Sequence, residues 1–167
     1  MNPVRHLPAA LGLFLALTTG CSRSSSISAA SAQSTGTDPV AAARMAARKE
    51  LFGDEALAKD IQWEEDGFGY RIVKEGTAPK PTLGTVVRVN YTGRLKDGTV
   101  FDHPAKPADF SIGRTITGLS LGLQMLGTGG KAVLFVPPSL GYGPRAVAGI
   151  PPNSGLIFDV DVVAVNP

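Results

Sequence analysis

From Tyr70 onward, apolar and polar positions alternate with a period of two, the repeat of a strand with one face buried. Val86-Val87-Arg88-Val89-Asn90-Tyr91 puts Val87, Val89 and Tyr91 on one side and Arg88 and Asn90 on the other. Tyr70 to Val73, Lys131 to Val136 and Leu156 to Val165 predict further strands. In the last, Phe158, Val160 and Val162 share a face, while Asp159 and Asp161 lie on the opposite one. That strict alternation makes the two aspartates a solvated strand face rather than an acid/base or metal-binding pair. Between Lys96 and Thr99 the Asp97-Gly98 pair predicts a tight hairpin turn with both central residues at positive φ, so Val100-Phe101 should fold back on the preceding strand. Leu119 to Leu126 fits two periods: its apolar residues alternate, yet Leu119, Leu123 and Leu126 also share a helical stripe. Periodicity leaves strand and helix both open there.

Ahead of the strands, Asp38-Pro39 predicts a helix start, with the Asp side chain capping free amides and Pro at a position where its missing N–H costs nothing. The helix should run to about Phe52 and stop at Gly53, with Asp54 capping a second short turn through Leu57 and Ile61. Val40, Ala43, Ala47 and Leu51 form one stripe. Because it is mostly alanine it buries little area, which favours a locally packed spacer over a dimer contact. Ser22 to Thr37, rich in Ser, Ala, Thr and Gly, reads as a flexible tether. Before it, Arg5 and the apolar run Leu7 to Leu17 read as an export signal too short to span a bilayer. Leu17-Thr18-Thr19-Gly20-Cys21 resembles a bacterial lipoprotein lipobox, with Thr18 where Leu or Val is usual. That resemblance implies a lipidated Cys21 as the new N-terminus; the rival is cleavage after Ala30-Ser31-Ala32 to release a soluble protein. The expected organisation is a signal peptide over 1–20, a lipidated N-terminus and tether over 21–37, a helical segment over 38–61 and a domain over 62–167.

Composition narrows the function more than the fold. With 43% apolar and 18% charged residues, the 167-residue chain can bury one core and a small appendage. Its 20 glycines and 13 prolines favour short strands and tight turns over a helical bundle. A net charge of +2 nominates no nucleic-acid partner. Cys21 is the only cysteine, so no intramolecular disulfide is available. The histidines are His6 and His103, which excludes a His/Cys metal cluster and leaves a Ser-His-Asp relay without a supporting motif. Gly127-Thr128-Gly129-Gly130-Lys131 lacks phosphate-loop spacing and precedes a strand, so it reads as a turn.

What remains is a set of aromatic and aliphatic residues in four ordered blocks: Val89 to Asp102 (Val-Asn-Tyr-Thr-Gly-Arg-Leu-Lys-Asp-Gly-Thr-Val-Phe-Asp), Gly141-Tyr142-Gly143, Gly149 to Ser154, and Leu156 to Val160. These strongly resemble the FKBP-type peptidyl-prolyl isomerases, the immunophilins that bind tacrolimus and rapamycin. The resemblance spans roughly Tyr70 to Val165. It implies an α+β fold: a curled antiparallel sheet of five or six strands around one short α-helix, preceded here by a short N-terminal helical segment. The ambiguous stretch would then be helix from about Gly118 to Leu126. It further implies a pocket between helix and sheet. Tyr91, Phe101 and Phe158 would form its walls, Leu119 its floor and Ile150 one lip, with Thr115 among the substrate contacts. Ile116 would offer its backbone N–H, Tyr142 its hydroxyl, and Asp102 would orient polar groups at the rim. No metal or other cofactor is required.

The implied substrates are proline-containing polypeptides, with macrolides as a further ligand class. The implied setting is the cell envelope, with the chain anchored by lipid to the outer membrane and facing the periplasm, as a monomer or weak dimer. Two positions depart from the family pattern: Leu119 stands where a tryptophan is usual, and the place of a pocket phenylalanine falls on Ala108. Those departures keep open a second reading, a proline-segment-binding or chaperone module that has the fold without the catalysis.

Overall fold

The computed structural model describes residues 38–166, so the leader, Cys21 and the tether lie outside the described residues. Helix α1 runs from Pro39 to Phe52, with the Asp38 carboxylate accepting from the Val40 amide at 3.0 Å and Gly53, at φ 74°, ending it. A 3-10 turn follows over Asp54–Leu57. It has no side-chain cap, because the residue at its cap position is Gly53; Asp54, expected to cap, is instead the first residue of the turn and pairs with Lys49 at 2.7 Å. The strands are β1 (Gln62–Trp63), β2 (Gly69–Lys74), β3 (Val86–Arg94), β4 (Val100–Asp102), β5 (Ala108–Ser111), β6 (Lys131–Val136) and β7 (Leu156–Val165), with helix α2 at Thr117–Gln124.

All strand pairs are antiparallel, in the order β1-β2-β6-β7-β3-β4, with β5 also on β3. The sheet therefore has seven strands where five or six are expected. The difference arises at the edges. The two residues of β1 add a short outer strand, and the strip beyond β3 is divided into β4 and β5 by a segment that holds Pro104 and Pro107, whose missing N–H groups cannot join a ladder. The hairpin between β3 and β4 also departs from expectation. Only Gly98 has positive φ, at 84°, and Lys96-Asp97-Gly98 forms a three-residue loop in which the Gly98 amide donates to the Leu95 carbonyl at 3.0 Å. A three-residue loop needs one left-handed residue, not two.

The sheet buries both faces. On the inner face Val87, Val89, Leu134, Val136, Phe158, Val160 and Val162 pack with Leu119, Leu123 and Leu126 of and beyond α2. The helix sits close because of two glycines one turn apart. A Cβ on Gly118 would lie 2.4 Å from the Val136 side chain, and one on Gly122 would lie 2.2 Å from that of Leu134. On the outer face Phe52, Ala56 and Ile61 pack with Val133, Phe135 and Ile157, and Trp63 joins them. The Phe52, Trp63 and Phe135 rings lie 5.6–5.7 Å apart pairwise, and Arg48 of α1 lies over Trp63 at 4.4 Å. Arg94 adds a polar tie, donating to both Glu55 carboxylate oxygens at 2.8 and 3.0 Å and to Asp159 at 3.0 Å.

The stripe of Val40, Ala43 and Ala47 stays exposed, with Leu51 half-buried. Phe52, which lies off that stripe, is the fully buried α1 residue, and Leu51 packs beside it against the same cluster. Full burial of such a ring contributes about 1.5–3 kcal/mol, far more than an alanine row. The described residues thus pack as one compact unit, and no packing boundary falls at residue 62.

Candidate functional site

The inner-face row of β3 leads to the site. Val87 and Val89 are sealed, but Tyr91, two residues further, is half-buried, and Leu95 continues the row beyond Gly93. Pairing of Gly93 with Phe158 on one side and with Asp102 on the other brings β7 and β4 against this end of the strand. Four rings meet there. Tyr91 lies 5.2 Å from Phe110 and 6.3 Å from Phe158, and Phe158 lies 5.7 Å from Phe101 in an edge-to-face arrangement. Such geometry suits the aromatic quadrupole and fixes the rings relative to one another.

Gly93 makes the Phe101 contact achievable. A Cβ there would stand 2.5 Å from Phe101 Cε2, so the ring edge packs directly on the Gly93 backbone.

Tyr91, Phe101, Phe110, Ile116 and Tyr142 are half-buried and pack against the same core, whereas Leu119, Ile150 and Phe158 are 2%, 5% and 3% exposed. The result is an open apolar patch over a sealed base. Ile150 therefore belongs to the base rather than to a lip; its amide donates to the Val147 carbonyl at 2.7 Å, which folds the 143–150 loop inward. Phe158 likewise lies beneath the open rings.

Ile116 immediately precedes α2 and accepts from the Ser120 amide at 3.1 Å, while its own N–H donates to no described residue. Tyr142 follows the 3-10 turn Pro138–Leu140, and its hydroxyl also has no partner among the described residues. Thr115, half-buried, is the residue before Ile116. At the rim the Tyr91 hydroxyl donates to the Asp102 carboxylate. Burial, and then this hydrogen bond and the Asp102 charge, push the Tyr91 phenol well above its usual range, so Tyr91 is neutral at any ordinary pH. His103, next to Asp102, is tied to Thr92 at 2.8 Å and faces away from the patch.

Phe110 is the residue that sequence matching misses. The expectation that Ala108 takes the place of a pocket phenylalanine gives way to a ring two residues on, beside Tyr91. The signal is present in the chain: Ala108-Asp109-Phe110 alternates, and Asp109 turns outward to a two-point pair with Arg88 at 2.7 and 2.8 Å. The patch is correspondingly more aromatic than Ala108 alone implies. A separate cavity of about 500 Å³ opens on the other face of the sheet between Asn90, Thr92, Lys131, Asp159 and Asp161. Its aspartates are paired with Arg94 and Lys131, and among the described residues no cluster of three His, Cys, Asp or Glu could hold a metal ion.

Comparison with known proteins bears on the same region. Residues 77–163 match the model of the FKBP-type peptidyl-prolyl cis-trans isomerases. The chain is 38% identical over 122 residues to FkpA of Escherichia coli (strain K12), covering 71% of this chain and 45% of that protein. It is 44% identical over 103 residues to the outer membrane protein MIP of Legionella longbeachae, covering 59% of this chain and 44% of the relative. The chain thus spans about half the length of the curated relatives it matches. Among solved structures, a peptidyl-prolyl cis-trans isomerase from Pseudomonas syringae pv. tomato superimposes with a TM-score of 0.65 at 32% identity, over 79% of this chain and all of the other. The FkpA crystal structure gives 0.67 at 38% identity, over 77% of this chain and 62% of the other.

Proposed function

Since this chain belongs to the FKBP-type peptidyl-prolyl cis-trans isomerase family, we propose that its aromatic patch takes up a prolyl residue and speeds rotation about the preceding peptide bond. The X-Pro bond resists rotation because twisting breaks amide resonance, a barrier of about 18–20 kcal/mol. No bond is cleaved, so neither nucleophile nor acid/base pair is needed. A planar amide is more polar than the twisted one, and an apolar surface therefore opposes the start of the reaction more than its summit. The Tyr142 hydroxyl and the Ile116 amide can then donate to the twisted amide's carbonyl or its neighbours, giving stronger contact at the transition state than before it. Tyr91, held by Asp102, together with Phe101, Phe110 and Phe158, supplies the surface for the ring.

The observation that carries this reading is the run of four rings beside two donors without a partner among the described residues. Thr115, Leu119 and Ile150 shape the substrate contacts from beneath and beside it. The test is exchange NMR on a Leu-Pro peptide with and without the full chain. Catalysis predicts faster cis/trans exchange at substoichiometric protein. Binding without faster exchange would instead make the chain a proline-segment-binding module, the reading favoured by Leu119 in place of a larger ring, and absence of both would remove the site.

The same reading gives the chain an envelope setting, supported by the name of the Legionella relative and by the leader and Cys21 motif. There it would assist folding of exported proteins, anchored through a lipid on Cys21. Mass spectrometry of the mature protein decides this, because an unmodified N-terminus at Gln33 would refute the anchor. Macrolides of the tacrolimus type are the ligand class to titrate against the Trp63 and tyrosine emission.

A further inference from the structure

A second concavity of about 360 Å³ adjoins the patch, between the end of α1, the β3–β4 hairpin and the 151–155 turn. The volume lies in the range of small-ligand and peptide sites. Its two sides are continuous with the candidate pocket. On one side Pro151 and Pro152 follow directly on Ile150, and on the other Leu95 follows the end of β3, two residues after Gly93, with its side chain packed on the inner core. The closed end is made by Gly155, where a Cβ would come within 2.5 Å of the Leu51 carbonyl oxygen and 2.8 Å of the Phe52 ring. The floor is thus set by α1, the element whose docking depends on Phe52.

The walls are apolar and the rim is charged. Lys96 is occupied: its ammonium donates to the Glu50 carbonyl at 2.8 Å and to the Glu50 carboxylate at 3.2 Å. Asp97 has no cationic partner at salt-bridge distance among the described residues. Its carboxylate accepts from the Thr99 amide at 2.9 Å, and that bond keeps it ionised to lower pH than usual. Asn153 and Ser154 are neutral, and the Ser154 hydroxyl is spent on the Pro151 carbonyl at 2.8 Å. Glu50 and Asp97 against Lys96 leave the groove with one net negative charge.

We infer that this groove is a subsite for the polypeptide flanking the prolyl residue, and that it selects clients with an apolar stretch ending in a basic side chain about three or four residues from the proline. The spacing is set by the client rather than by the wall, which is a turn: three or four extended residues of the client reach at most about 14 Å, the length allotted to the run from the prolyl ring past Pro151 and Pro152 to the rim. The occupant is argued from continuity with the patch and from charge. Acidic flanks would meet Asp97 unpaired, whereas a Lys or Arg would pair with it at the solvent edge.

This inference rests on the isomerase reading, and the experiment separates the two. Isomerisation by the full chain is measured on a blocked Leu-Pro tetrapeptide and on two ten-residue peptides that carry either Lys or Glu four residues from the proline. The expected result is similar kcat throughout, with KM for the Lys peptide lower than for the Glu peptide by about two- to fivefold, the range of an exposed charge pair. The gap should shrink at high salt. Asp97→Asn, which keeps an oxygen for the Thr99 amide, should narrow it while leaving the tetrapeptide unchanged. Amide shifts on titrating the Lys peptide should include residues 95–97 and 151–155. Equal KM for the two long peptides, or shifts confined to the aromatic patch, overturns the subsite while the isomerase reading stands. Failure to turn over even the tetrapeptide overturns the isomerase reading instead; shifts at 95–97 and 151–155 would then still report the groove.

Discussion

Replacing Gly93 with alanine tests how the pocket is built more directly than removing any ring. The new methyl would sit 2.5 Å from Phe101 Cε2, 2.6 Å from Phe101 Cζ and 3.2 Å from Phe158 Cε1. Carbon atoms settle at about 3.5–4.0 Å, so one ring has to retreat by about 1 Å. Phe158 is 3% exposed in a ten-residue central strand and has nowhere to go. Phe101 is half-exposed on a three-residue edge strand and can yield. Overpacking costs about 1–3 kcal/mol, and a yielding partner puts this case near the lower end, at about 1 kcal/mol. The effect on turnover should be larger, since a misplacement of about 1 Å can cost up to about 100-fold in rate. We expect kcat/KM to fall by at least about tenfold, equivalent to about 1.4 kcal/mol. Urea unfolding and exchange NMR on the same sample separate the two effects. If the variant keeps kcat/KM within a factor of two of the parent, the seating of Phe101 against β3 does not set the pocket, and the argument from ring geometry fails.

Other substitutions read different parts of the molecule. Phe101→Ala should lower kcat/KM at least about tenfold, and Tyr142→Phe only about two- to fivefold, as for loss of a single neutral hydrogen bond; equal effects would contradict the assigned roles. Phe52→Ala should destabilise by about 3–5 kcal/mol, with a shift in Trp63 emission because the two rings lie 5.7 Å apart, and denaturant unfolding monitored by fluorescence measures both. The raised Tyr91 phenol links stability to alkaline pH. Its contribution is complete below the ordinary phenol value of 10.0 and is lost as pH rises beyond it, because the unfolded chain ionises first. Tyrosine absorbance should accordingly show a phenol that titrates above the ordinary range, and Asp102→Asn should bring that late titration to lower pH; absence of a late titration would contradict the burial and hydrogen bond at Tyr91.

Where a physical signal is local, the chain discloses it. Strands β2, β3, β6 and β7 follow from their apolar pattern, β4 from the Asp97-Gly98 turn, and α1 from its Asp-Pro start and Gly stop, whereas β5 goes unpredicted. Leu119 to Leu126 is different in kind. Its two periods are resolved by Gly118 and Gly122, which let a helix approach Leu134 and Val136, and that fit exists only once β6 is in place. Phe110 was legible from its alternation with Asp109, but family spacing pointed to Ala108 instead. The division of the edge into β4 and β5 turns on two prolines in a stretch of five residues. The docking of α1 was hidden for another reason: one ring at the helix end outweighs a whole alanine stripe, and a stripe is what periodicity detects.

The second apolar layer, on the outer face, has a practical consequence for anyone trimming this protein. A fragment cut to the matched span 77–163 would discard Phe52, Ala56, Ile61 and Trp63 together with β1 and β2, and would leave Phe135 and Ile157 facing water. Recombinant boundaries should therefore be drawn upstream of α1, at residue 38 or earlier, and poor solubility of a shorter piece would report the missing cover rather than any defect in the prolyl site.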